Sequence, residues 1–136
     1  MSEKFTLELD DEAFTLASGV FPDGAVWLKV TDPLPPSARL MRIRAVALRD
    51  MNDFMLLAQL MEAVRHVTDV TFSHLELPWL PWARQDRHMV PGDSFALKVF
   101  ARQLNTLGFD KVVVLDPHSD AAAAAVNNMV AVAQQH

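Results

Sequence analysis

The sequence predicts an α/β domain: a mainly parallel sheet flanked by helices and entered through an N-terminal β-hairpin. Three observations predict it. Two helix-length amphipathic stretches, 53–67 and 95–107, are each followed by a short apolar run, 70–77 and 111–115. Strands alternating with helices at these spacings build a right-handed parallel layer. The run Lys111-Val112-Val113-Val114-Leu115 is β-branched and does not alternate, which suits the middle of such a sheet. Residues 5–30 instead alternate apolar and polar positions around Asp23-Gly24, a strong tight-turn signal.

Taken in order, Phe5, Leu7 and Leu9 alternate with Thr6 and Glu8 as one half-buried strand, and 14–20 is read as a second. Phe21-Pro22-Asp23-Gly24-Ala25 is the turn, and Val26, Leu28 and Val30 mark the strand after it. Asp32-Pro33-Leu34-Pro35-Pro36 cannot be a central strand or a helix interior, so 31–38 is an exposed linker. Residues 39–48 read as a strand with one wet face, leaving at Arg49-Asp50. Asn52 is the expected N-cap of the first helix, with Asp53 in its first turn. Its methionines are expected to be core filler. Asp93 or Ser94 is the expected cap of the second helix, and Gly108 its stop. A short helix over 121–125 and a last strand over 129–133 complete the reading.

Whole-chain properties narrow the function. The 136 residues make one domain with room for a real core, 51% hydrophobic and 21% charged. A net charge of −5 argues against non-specific nucleic-acid binding. Cysteine is absent, which excludes disulfides and thiolate metal sites. The first residues lack a signal-peptide pattern, and no apolar run reaches the ~20 residues of a membrane span. The expectation is a cytoplasmic protein with no nucleic-acid or membrane partner.

The chemistry-bearing stretch is Leu77-Pro78-Trp79-Leu80-Pro81-Trp82-Ala83-Arg84-Gln85-Asp86-Arg87. Its prolines should end the preceding strand. Two readings are open. In one, the rings cover a nucleotide base, the amide reads its edge and an arginine pairs with phosphate. In the other, this is a polar surface loop anchored by buried tryptophans. A second cluster, Asp116-Pro117-His118-Ser119-Asp120, also follows a strand. If extended, it sets three side chains on one side, fit for Mg²⁺ or for phosphate; alternatively its aspartates are turn and cap residues. Ligands of parallel sheets bind beyond the carboxyl ends of strands, so the two clusters should share one edge. His66, His74 and His88 lack ligand spacing and read as structural or solvated.

Leu80-Pro81-Trp82-Ala83-Arg84-Gln85-Asp86-Arg87 resembles a hallmark of ribose-phosphate diphosphokinases, the phosphoribosyl pyrophosphate synthetases. Asn52-Asp53-Phe54-Met55, Leu97-Lys98-Val99-Phe100-Ala101, Asp116-Pro117-His118 and Phe21-Pro22-Asp23-Gly24-Ala25 are similar to further blocks of that family, in its order, across residues 20–128. The Asp116–Asp120 variant resembles a divergent, phage-like branch. The resemblance implies a type I phosphoribosyltransferase-like fold. It also implies Mg²⁺-dependent transfer of the β,γ-diphosphoryl group of ATP to the 1-hydroxyl of ribose 5-phosphate. On this resemblance Arg84, Gln85 and Asp86 contact ATP, and Phe21 and Asp23 of a neighbouring subunit close over adenine. His118 lies at the Mg²⁺–ATP phosphates as catalytic and metal residue, with Asp116 as a further metal residue. A homodimer or larger homo-oligomer is implied.

There are departures from the pattern. Ala25 stands where the family has a turn glutamate, and Trp82 where it has tyrosine. The first strand–helix unit is replaced by hairpin-like sequence, and the loop that holds ribose 5-phosphate is not found. The chain is therefore expected to correspond to the N-terminal half of such an enzyme, without the C-terminal half and inactive alone. The competing expectation is a catalytically silent regulatory or oligomerisation module of the same fold.

Overall fold

The computed structural model describes residues 4–116 and 125–132. Its main sheet has six strands: β1 (Phe5–Leu9), β2 (Glu12–Phe14), β5 (Ser37–Ala45), β6 (Asp69–Leu77), β7 (Lys111–Val114) and β8 (Met129–Ala131). They lie in the order β2-β1-β5-β6-β7-β8. β5 to β8 are parallel, and β1 is antiparallel to both its neighbours. Helix α1 (Met51–Val67) links β5 to β6, and α2 (Ala96–Asn105) links β6 to β7. β3 (Leu16–Val20) and β4 (Val26–Val30) form a separate hairpin. The predicted helix over 121–125 falls almost wholly outside the described residues.

The strand expected over 14–20 is two strands broken at Thr15. The β1–β2 turn is Asp10-Asp11, both left-handed (φ 49° and 67°), a conformation usually signalled by Gly or Asn. Asp10 is held there because its carboxylate accepts the Arg39 and Leu40 N–H groups. Thr15 is pinned away from the main sheet: its N–H donates to Asp32 (2.7 Å) and its carbonyl accepts from Thr31 N–H. The Phe21–Ala25 turn forms as expected, and the β3–β4 hairpin then packs on α1. Gln59 fixes it there, donating to the Val26 carbonyl (3.0 Å) and accepting from Leu28 N–H (2.8 Å).

Both expected helix caps are corrected. α1 is capped by Asp50, whose carboxylate accepts Asp53 N–H (2.9 Å), so Asn52 falls in the exposed first turn. Asp53 answers by accepting Arg49 N–H (2.8 Å), a reciprocal arrangement close to a capping box. Asp53 is 1% exposed and ion-paired to Lys4. α2 starts after Phe95 with no side-chain cap. Asp93 instead closes a local turn by accepting Val90 N–H (3.2 Å).

Leu57, Leu60 and Val64 of α1, Leu97, Phe100 and Leu104 of α2, and Met41, Ile43, Leu75, Leu77 and Val114 of the sheet form one core. Each such side chain contributes about 1.5–3 kcal/mol by leaving water. Of the helix methionines, Met61 is core filler, whereas Met51 and Met55 are exposed. Right-handed crossovers that all step the same way along the sheet put α1 and α2 on one face.

The other face of the central strands is mixed, with Leu40, Phe72 and Val113 beside charged residues. Arg42 reaches Glu8 (3.5 Å), and Arg44 pairs with Glu76. His74 stands in register between Arg42 of β5 and Lys111 of β7, and its buried Nε2 has no hydrogen-bond partner among the described residues. Burial, then Lys111, Arg42 and Arg44, lower its pKa below the ordinary 6.5, with Glu76 opposing. Protonation therefore favours the unfolded chain. The His74 contribution to stability is full above pH 6.5 and is lost as pH falls toward the lowered folded value. Thermal melts from pH 7 to 5 should show that loss, and a His74→Asn variant should show a flatter profile over the same range.

Candidate nucleotide site

β6 leaves the sheet at Leu77 and its continuation turns sharply. Leu80 and Pro81 are buried and anchor the loop. Trp82 adopts φ +59°, unusual for a bulky residue, with its ring 5.3 Å from that of Phe100 in α2. Gln85 N–H donates to the Trp82 carbonyl (2.9 Å), and the Gln85 carbonyl accepts Leu97 N–H (3.1 Å). The missing side-chain cap of α2 is thus supplied by the backbone of the loop. Arg84 and Gln85 are left exposed. Of the two tryptophans expected as buried anchors, Trp82 is half-buried and Trp79 is 40% exposed.

Leu115 N–H donates to the Leu77 carbonyl (3.0 Å), which ties the exit of β7 to that of β6. Two cavities result. One, of about 630 Å³, is lined by Arg49, Trp79, Leu80, Pro81, Trp82, Ala83, Arg84, Gln85 and Asp116. The other, of about 460 Å³, is lined by Arg84, Gln85, Asp86, Arg87, Met89, Asp93 and Ser94. Arg84 and Gln85 belong to both. The two sequence clusters therefore meet on one sheet edge, as far as Asp116 carries the second; His118 and Asp120 lie outside the described residues. Volumes of this size suit a nucleotide-sized ligand.

Asp86 accepts from Arg87 Nε (3.1 Å), and that hydrogen bond holds its carboxyl below the ordinary carboxylate range while raising the guanidinium. The pair stays fully charged at neutral pH and partly neutralises itself. His88 is engaged locally, its Nδ1 2.7 Å from the Asp93 carbonyl and its ring edge-on to Phe95.

Phe21 and Asp23 line neither cavity. They occupy the β3–β4 turn, where Asp23 accepts Ala25 N–H (3.0 Å) and Phe21, 52% exposed, lies beside Trp27. Among the described residues no cluster of three metal-ligand side chains occurs. Mg²⁺ needs less than such a cluster, since one or two carboxylates plus waters and ligand phosphates suffice. Asp116 in the larger cavity fits that requirement. Arg49 was passed over in the sequence, where it marks only the end of β5. The available signal was its position, at a strand exit on the same edge as the other two clusters.

The chain is 28% identical over 101 residues to the ribose-phosphate pyrophosphokinase of Saccharolobus solfataricus, covering 73% of this chain and 33% of that protein. It is 28% identical over 85 residues to that of Methanosarcina acetivorans (62% and 28%) and 21% over 101 residues to that of Sulfurisphaera tokodaii (74% and 34%). It thus spans about a third of the length of these relatives. The phosphoribosylpyrophosphate synthetase structure from Mycobacterium smegmatis superposes with a TM-score of 0.70 at 19% identity, over 91% of this chain and 41% of that one. That likeness establishes the fold. No family model matches the chain. Among the described residues no helix is long and apolar enough to cross a membrane.

Proposed function

We propose that this chain, similar over part of its length to ribose-phosphate pyrophosphokinases, is the ATP-side domain of such an enzyme. One observation carries the reading: Arg84, Gln85 and Asp116, singled out in separate sequence blocks, line one cavity beyond the carboxyl ends of β6 and β7. Arg84 pairs with ATP phosphate, Gln85 hydrogen-bonds the nucleotide, and the Asp86–Arg87 pair borders it. Exposed Trp79 offers a ring face to the base. Asp116, with His118, would hold Mg²⁺, which when bound neutralises phosphate charge. His118 is assigned to the phosphates of the bound nucleotide.

In the complete reaction the 1-hydroxyl oxygen of ribose 5-phosphate bonds to the β-phosphorus and its proton is released to solvent. The β-phosphorus bond to the α,β-bridging oxygen breaks, and AMP leaves. Such chemistry needs alignment and charge neutralisation more than covalent partners, and arginines plus a metal provide both. Phe21 and Asp23, outside the cavity on their own subunit, are assigned to the adenine of a neighbouring one, which requires a homo-oligomer. The setting is cytoplasmic. These residues hold no recognisable ribose 5-phosphate loop, so they are assigned no turnover by themselves. A second reading is a silent regulatory or oligomerisation module of the same fold.

Calorimetric titration with ATP, with and without Mg²⁺, tests the proposal. Saturable binding that His118→Ala weakens mainly when Mg²⁺ is present is the expected result. A folded, oligomeric sample that binds no nucleotide would favour the silent module. Release of AMP on adding ribose 5-phosphate would overturn the assignment of inactivity.

A further inference from the structure

We infer that Arg49 is a second phosphate-binding residue, and that the ligand's phosphate chain runs between Arg84 and Arg49. The inference rests on the nucleotide reading of the larger cavity and adds a residue that none of the family-like blocks contains. Arg49 lies just beyond the β5 strand, as Arg84 lies beyond β6 and Asp116 beyond β7. All three line the same 630 Å³ cavity.

The backbone of Arg49 is fixed. Its N–H donates to the Asp53 carboxylate (2.8 Å), which is buried and held by Lys4. Its side chain is exposed, and among the described residues neither its guanidinium nor that of Arg84 makes an ion pair. Arg42 and Arg44 pair across the sheet, Arg87 pairs with Asp86, and Arg65 donates to the Leu107 carbonyl; Arg39 and Arg102 also make no ion pair among the described residues, but neither lines this cavity.

Among the described residues, the cavity is lined by two guanidinium groups and one carboxylate, Asp116, in a chain whose net charge is −5. The cleft is therefore locally cationic on an acidic molecule, and a concave wall focuses that field toward an anion. A monoanion would satisfy one arginine and leave the other idle. A polyphosphate presents charge along its length and engages both, with the planar guanidinium suited to paired phosphate oxygens. Trp79 lines the same cavity and gives the uncharged part of the ligand an apolar surface.

Three probes separate the contributions: ATP, inorganic tripolyphosphate and adenosine, each titrated into the wild-type chain, Arg49→Ala, Arg49→Lys and Arg84→Ala. Arg49→Ala is expected to weaken ATP and tripolyphosphate about ten- to a hundred-fold, the loss of one charge-assisted hydrogen-bonded contact. Adenosine affinity should stay unchanged, and Arg49→Lys should recover part of the loss. Melting temperatures check that the exposed substitutions leave the fold intact. If Arg84→Ala weakens ATP and Arg49→Ala does not, the Arg49 inference is overturned and the nucleotide reading stands. If tripolyphosphate binds in an Arg49-dependent way while ATP does not bind, Arg49 keeps its role and the nucleotide reading falls. If no probe binds the folded wild-type chain, both fall.

Discussion

Lys4→Met is expected to lower folding stability by about 3 kcal/mol at neutral pH, the low end of the cost of stranding one member of a buried ion pair. Asp53 is 1% exposed and its carboxylate faces the Lys4 ammonium. The Lys4 side chain itself is 43% exposed, so water partly replaces it, which is why the low end applies. Without Lys4 the carboxylate keeps, among the described residues, only the Arg49 N–H as a donor. Urea unfolding should show the change as a lowered midpoint at constant slope. The double variant Lys4→Met/Asp53→Asn removes the charge while keeping an acceptor oxygen for Arg49, and should regain most of the loss. A single-variant loss below about 1 kcal/mol, the range of exposed ion pairs, would mean that Lys4 acts as a surface partner only. The stake is high because a domain of this size is held by a total of only about 5–15 kcal/mol.

Arg84→Ala is expected to weaken ATP binding by about 1.5–3 kcal/mol, one charged hydrogen bond, with little change in melting temperature. Arg84 is exposed and lines both cavities, so its removal disturbs no packing. The backbone around it is held independently, by Gln85 to Trp82 and by Leu97 to Gln85. Calorimetry on the variant reads the loss directly, and unchanged affinity would remove Arg84 from the site. Read together, the Lys4 and Arg84 variants separate scaffold from chemistry, since one moves stability and the other moves affinity.

The parallel layer was legible because periodicity reports burial. Leu57, Leu60 and Val64 keep helical spacing because each faces one core, which Val112 and Val114 also enter; Val113, in register with Glu76 on the other face, is buried as well, so the run does not alternate. The caps were misread because several polar residues compete within a few positions. Asp50, Asn52 and Asp53 can all cap, and Asp53 is held in place by Lys4, which immediately precedes β1, while Asp50 caps. The break at Thr15 was hidden for a related reason. Two adjacent aspartates take the left-handed turn only because Asp10 gains the Arg39 and Leu40 N–H groups from β5. Arg84, Gln85 and Asp116 were legible because they form motifs. Arg49 was not, because its place in that cavity depends on which strand exits lie side by side, and that is a property of the sheet order.

The sheet order also bears on how the chain reaches its structure. From β5 onward every new strand is laid beside the one made just before it, β5-β6-β7-β8. Each step closes a single strand–helix–strand loop, so the search is sequential and the entropy of closure is met in small increments. β1 is the exception, since it must wait for β5, some thirty residues later, before its hydrogen bonds can form. During synthesis the first hairpin therefore emerges with an open edge, and α1 cannot receive Lys4 against Asp53 until β5 has joined it. The ion pair joins the N-terminus to a layer that can assemble without it, and variants of Lys4 are expected to accelerate unfolding far more than they slow folding, as read in a chevron plot.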